Sequence, residues 1–146
     1  MAPADALDRA ARGGAQRVAA APAGHAKAQR PAALAGGRPA NFLDAGGGSR
    51  ADEVVAALEV LLSDPKVKSL LVNIFGGITR CDEVAEGLLT ALERLGTTLP
   101  IVVRLDGTNE KEGRAIIAER APANVVVEPT MLSAARRAVE LAKEAA

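Results

Sequence analysis

The sequence predicts an α/β fold: an open parallel sheet of about four strands with helices on both faces, preceded by a disordered tail. Three observations carry this. From Asn41 onward, short apolar runs alternate with longer stretches of helical period, the pattern of a parallel sheet covered by helices. The runs are aliphatic without polar alternation, as strands covered on both faces require. Residues 1–40 differ sharply, with sixteen Ala, five Gly and four Pro, and only Leu7, Val18 and Leu34 as large aliphatics beyond Met1.

Taken in order, residues 1–37 are expected to be a disordered tail, because so few large side chains bury too little surface to offset ordering entropy. A domain over 38–146 follows. Asn41-Phe42-Leu43-Asp44 reads as a short strand, and Ala51 to Leu62 as a helix with Val54, Leu58, Leu61 and Leu62 on one face. Ser49, with Asp52 three residues on, resembles a capping box at its start. Leu70 to Phe75 is apolar enough for an interior strand. The next helix, Arg80 to Leu95, turns Cys81, Val84, Ala85, Leu88, Leu92 and Leu95 inward and ends at Gly96. Ile101-Val102-Val103 and Val125-Val126-Val127 are the remaining strands, followed by helices near Glu110–Glu119 and Thr130–Lys143. Right-handed crossovers between such units give a flavodoxin-like or Rossmann-like sheet.

Composition narrows the function classes. At 146 residues the chain has room for one ordinary domain. With two Phe and no Trp or Tyr its core is aliphatic. The zero net charge divides unevenly: residues 1–40 hold six Arg/Lys against two Asp, and residues 41–146 hold twelve against sixteen acidic side chains. A mildly acidic domain almost without aromatics lacks the cationic surface and stacking platforms of a nucleic-acid binder. Cys81 is the only cysteine, which leaves no internal disulfide or multi-cysteine metal site and points to a reducing, cytoplasmic setting. No apolar run reaches the roughly 20 residues of a membrane helix, and the N-terminus, with scattered Arg but no continuous apolar stretch, is expected to be no secretory signal, an organelle transit peptide being the weaker alternative.

Ligands of such sheets gather where strands run into helix N-termini. The sharpest turn of this kind is Asn73-Ile74-Phe75-Gly76-Gly77-Ile78-Thr79-Arg80-Cys81-Asp82. Gly76 and Gly77 clear side chains from the turn, and the helix amides beyond them lack intrahelical acceptors, so Gly76, Gly77, Ile78 and Thr79 form a candidate seat for a phosphate or carboxylate. Thr79 is expected to cap the helix, with Asp82 returning a bond to the turn's amides. The same spacing serves a plain tight turn equally well. Gly46-Gly47-Gly48-Ser49 has the same logic but follows a very short strand, so it reads first as a simple turn, with a second anion turn at Gly46, Gly47 and Gly48 as the alternative. Cys81, at the start of an apolar stripe, reads as a packed small hydrophobe. His25 falls in the tail, away from any candidate site. Arg104, Asp106, Thr108 and Asn109 decorate the end of the third strand and can line the same cleft or cap the next helix.

Three segments in order, Gly36 to Gly48 (GGRPANFLDAGGG), Val72 to Asp82 (VNIFGGITRCD) and Val102 to Asn109 (VVRLDGTN), closely resemble the beta subunit of succinyl-CoA synthetase, over its C-terminal CoA-ligase domain. The resemblance implies an ADP- or GDP-forming succinate–CoA ligase of the tricarboxylic acid cycle, working through a phosphohistidine carried by a partner alpha subunit. It places Gly77-Ile78-Thr79 at the helix that faces this phosphohistidine and the succinate, at the subunit interface. It implies ATP or GTP, Mg2+ and CoA as the family's cofactors, on parts that nothing here matches, so none is expected to be bound by this chain. Residues 1–35 resemble neither the family's ATP-grasp domain nor the strand and Asn-Gly-Ala-Gly turn that open its C-terminal domain. The chain is therefore expected to be a partial subunit, without turnover alone, and its first segment to be an upstream region read in another frame. The alternative is a non-catalytic module that retains the alpha-docking surface.

Overall fold

The computed structural model describes residues 17–22, 35–42, 50–75 and 77–145. The centre of the molecule is β3, Ser69–Ile74, buried at all six positions because both of its faces are covered. Its neighbours are β1, Arg17–Pro22, and β4, Ile101–Leu105; β2, Arg38–Phe42, and β5, Val125–Val127, flank these. The sheet is parallel throughout, in the order β2-β1-β3-β4-β5.

Among the described residues four helices cover it: α1, Ala51–Leu62; α2, Cys81–Leu95; α3, Glu110–Arg120; and α4, Met131–Glu144. From β2 onward the strands advance in one direction across the sheet, and right-handed crossovers then put α1, α2 and α3 on a single face. Leu70, Val72, Ile74, Ile101, Val103 and Leu105 point into that layer, against Leu58, Leu61, Val84, Leu88 and Ile117. The alternate residues Leu71 and Val102 meet Ala134, Ala135, Ala138 and Val139 of α4 on the other face. Small alanines let α4 lie close, and the buried Ser69 hydroxyl donates to the Ala138 carbonyl at 2.7 Å. Fully burying each large aliphatic stabilises the fold by about 1.5–3 kcal/mol.

The predicted class holds, and the interior elements fall within a residue or two of expectation. Five strands are described, against about four predicted. The fifth is β1, inside the segment predicted as a disordered tail. Val18-Ala19-Ala20-Ala21 is poor in strand formers, but it pairs on both sides, with β2 and with β3, and backbone pairing outweighs weak propensity. The predicted absence of a first strand is corrected by the same pairing. β2 begins at Arg38 rather than Asn41. Leu95, expected inside, is 37% exposed, because Gly96 in the left-handed conformation (φ 57°) ends α2 there. The N-cap of α1 is Arg50, whose N–H donates to the Glu53 carboxylate at 2.9 Å; Ser49 lies outside the described residues.

Candidate functional site

The turn from β3 into α2 sits at the carboxyl end of the sheet, and the loop from β4 into α3 folds against it. Asp106 N–H donates to the Ile74 carbonyl at 2.9 Å, extending the β3–β4 pairing past the strand ends. Thr108 then grips the turn twice. Its hydroxyl donates to the Gly77 carbonyl at 2.7 Å, and its own carbonyl accepts the Cys81 N–H at 2.9 Å. Asn109, at φ 57° the one non-glycine residue in the left-handed region among those described, turns the chain into α3 and donates to Asp82 Oδ1 at 3.2 Å. Beneath, Gly113 lets α3 approach α2 so closely that an added Cβ would meet the Cys81 carbonyl oxygen at 2.7 Å.

These bonds revise two expectations. The N-cap of α2 is Arg80, not Thr79, and no side chain caps it; Thr79 is buried at 3% exposure. Asp82 bonds to the Arg80 guanidinium, at 2.8 Å from Nη2, and to Asn109, rather than to the turn's amides. The first helical amide is also engaged by the chain itself, through Thr108. The first helical amide is thus not open to a ligand, and of the predicted stretch only the turn ahead of the helix stays clear of this bond.

Of the four residues predicted for it, Gly76 lies outside the described residues. Gly77 and Ile78 are exposed, Ile78 at 77%, and Phe75 is 44% exposed on the strand side. A Cβ added at Gly77 would meet nothing within 4 Å, and its φ is not left-handed. Among the described residues, neither crowding nor backbone conformation asks for glycine there. The second predicted turn, Gly46, Gly47 and Gly48, and His25 lie outside the described residues.

Charge around the turn is balanced locally. Arg80, half exposed, pairs with Asp82 and, at 3.4 Å, with Glu83. Burial alone pushes the Asp82 carboxyl up, but bonds from Arg80 and Asn109 and the Arg80 charge outweigh it and hold the group below its ordinary 3.8. Cys81 is fully buried, and burial, followed by the Glu110 carboxylate, pushes its thiol above the ordinary 9.0. It is the packed small hydrophobe expected. Across the strand tops, Arg104 donates to the Asn73 side chain at 3.3 Å and pairs with Asp106 at 2.8 Å. Among the described residues, no three His, Cys, Asp or Glu side chains converge as a metal site, and no helix is long and apolar enough to cross a membrane.

The parallel order 2-1-3-4-5, with helices on both faces, defines an open α/β domain of the flavodoxin-like kind. The chain belongs to the CoA-ligase family, whose model matches residues 11–143 and so reaches into the segment that the sequence had suggested was unrelated. It is 61% identical over 112 residues to the beta subunit of ADP-forming succinate–CoA ligase from Rubrobacter xylanophilus, covering 77% of this chain and 29% of that one. The corresponding subunit of Herpetosiphon aurantiacus is 53% identical over 111 residues, covering 76% and 29%. The chain thus spans under a third of the length of these relatives. A crystal structure of a Pyrococcus horikoshii protein shares the fold, with TM-score 0.70 and 18% identity over 88% of this chain and 36% of that one. ATP citrate lyase of Methanothrix soehngenii, solved with citrate and coenzyme A, matches at TM-score 0.61 and 19% identity over 96% and 41%.

Proposed function

We propose that this domain serves a succinate–CoA ligase by offering the Gly76–Thr79 turn to an anionic group, the phosphate of a phosphohistidine or a carboxylate of succinate, at an interface with an alpha subunit. The observation that carries the reading is the open space above Gly77 beside exposed Phe75 and Ile78: a small anion has access to the backbone, and apolar side chains flank it. The α2 dipole adds about 0.3–1 kcal/mol for an anion near its start. Thr108 and the Arg80–Asp82 pair hold the turn before any ligand arrives, which removes part of the ordering cost of binding. Nucleotide, Mg2+ and CoA would be handled by other parts of the assembly, in a reducing cytoplasm.

A second reading, association without turnover, draws on the same exposed Phe75 and Ile78, which suit a protein partner whether or not the anion binds. Mixing the chain with a purified bacterial alpha subunit and running the mixture on a sizing column tests both. Co-elution that strengthens with phosphorylation of the alpha-subunit histidine supports the first reading. Co-elution indifferent to phosphorylation supports the second, and separate elution counts against both.

A further inference from the structure

Asp106-Gly107 is the one place in the 146 residues where an Asp or Asn precedes a Gly. Such a pair carries its own chemistry. The backbone nitrogen of the second residue attacks the side-chain carboxyl carbon of the first, and glycine, having no Cβ, leaves that approach open. The amide hydrogen and the carboxyl hydroxyl depart as water, and a five-membered imide closes. Water then opens the ring. Where it breaks the bond between the nitrogen and the original backbone carbonyl, the main chain runs on through the Asp Cβ. The product is an isoaspartate of unchanged mass, with one more carbon in the backbone.

The fold asks for both residues and restrains both. Gly107 lies at φ 144°, a conformation that residues with a side chain rarely adopt. Asp106 is 54% exposed, so water reaches it, and its Oδ2 is held by Arg104 Nη2 at 2.8 Å. A carboxyl group held by one oxygen is limited in how it turns toward the next nitrogen. That nitrogen is occupied as well: the Gly107 N–H donates to Glu110 Oε2 at 3.1 Å. The bond ties up the proton that must leave, and it sets a carboxylate beside the amide anion that would attack, where like charge disfavours it. The two restraints come from different elements, Arg104 from β4 and Glu110 from the first turn of α3.

We propose that Asp106-Gly107 is a latent site of isoaspartate formation, held closed by the Arg104 and Glu110 bonds and opened when either is lost. Its position gives the modification a consequence. Asp106 N–H donates to the Ile74 carbonyl, and the Thr108 hydroxyl holds the Gly77 carbonyl. The added carbon falls between these two anchors and lengthens the loop that clamps the turn after β3. The chemistry is independent of what that turn binds.

Incubating the full chain in heavy-oxygen water at neutral pH tests this, because each ring opening leaves one heavy oxygen on the residue. After digestion in ordinary water, mass spectrometry of the peptide carrying Asp106 reads the uptake, and fragmentation separates isoaspartate from aspartate. Native wild type should react more slowly than the same chain unfolded in urea. Arg104→Met and Glu110→Gln should each speed the native reaction by roughly two- to tenfold, the scale of one hydrogen bond. Arg120→Met, which removes an exposed pair with Glu86, should leave the rate unchanged. Asp106→Glu, whose ring would have six members, should abolish uptake at this position. Equal rates in native and unfolded wild type overturn the inference, and that comparison needs no variant to fold. Wild-type rates in both Arg104→Met and Glu110→Gln overturn it too.

Discussion

Thr108 holds the Gly77 turn and the start of α2 at once, donating its hydroxyl to the Gly77 carbonyl at 2.7 Å while its own carbonyl receives the Cys81 N–H at 2.9 Å. The loop after β4 therefore sets the shape of the loop after β3, and what is asked of the turn as an anion seat is asked of Thr108 as its support.

Thr108→Val keeps the side-chain shape and removes the donor. Loss of one hydrogen bond of about 0.5–1.5 kcal/mol should weaken phosphate binding by roughly two- to tenfold, with a similar loss in unfolding free energy. Thr108→Ser, which keeps the hydroxyl, should restore most of the affinity. Parallel phosphate titrations and urea unfolding of the two variants check this; equal affinity in the valine and serine variants would show that the clamp does not shape the seat.

Gly113 and Gly77 should respond oppositely to alanine. At Gly113 the new Cβ would lie 2.7 Å from a backbone oxygen of Cys81, so α2 and α3 must part, at a cost of about 1–3 kcal/mol. At Gly77 it meets nothing within 4 Å, and stability should stay within about 0.5 kcal/mol of wild type. Urea midpoints of the two variants measure the contrast directly.

Asp82 gives the turn a pH limit. Its folded carboxyl titrates below the ordinary 3.8, so its contribution to stability is complete above that value and is lost as pH falls through the lower, folded one. Thermal midpoints should be insensitive to this group from about pH 7 down to about pH 5 and fall in more acid solution. Asp82→Asn, already lacking the charge, should show a shallower acid decline. An identical decline in both proteins would mean that the Arg80 and Asn109 bonds contribute nothing.

Cys81 should be nearly inert in the native state. Full burial and a thiol raised above 9.0 leave little accessible thiolate near neutral pH. Iodoacetamide at about pH 8 should label it at least about a hundredfold more slowly than it labels the urea-unfolded chain, by mass spectrometry. Rapid labelling of the native protein would contradict the packing of α2 against α3.

Much of the fold was legible because the aliphatic runs at β3, β4 and β5 and the stripe of Val84, Leu88 and Leu92 state their periods plainly, and Gly96 marks the helix end. β1 was not. Its Ala-rich run carries little strand propensity, and what makes it a strand is pairing with partners 21 residues later in β2 (Arg17 with Arg38) and 51 residues later in β3 (Val18 with Ser69), which no local window contains. The turn between β3 and α2 was legible from two glycines between an apolar run and a helical stripe. Its construction was not: the Thr108 hydroxyl reaches the Gly77 carbonyl across 31 residues, a second bond brings the Thr108 carbonyl to the Cys81 amide, and the cap is Arg80. Arg104 and Asn73 were visible as polar residues in strands, but only the strand register sets them side by side.

The most direct test of the account is a phosphate titration of wild type, Gly77→Ala and Gly77→Glu at low ionic strength. Since the space at Gly77 is open, both variants should fold as wild type does, and Gly77→Glu alone should abolish binding by placing a carboxylate at the turn. Phosphate affinity in Gly77→Glu equal to that of wild type would contradict the claim that an anion sits at this turn.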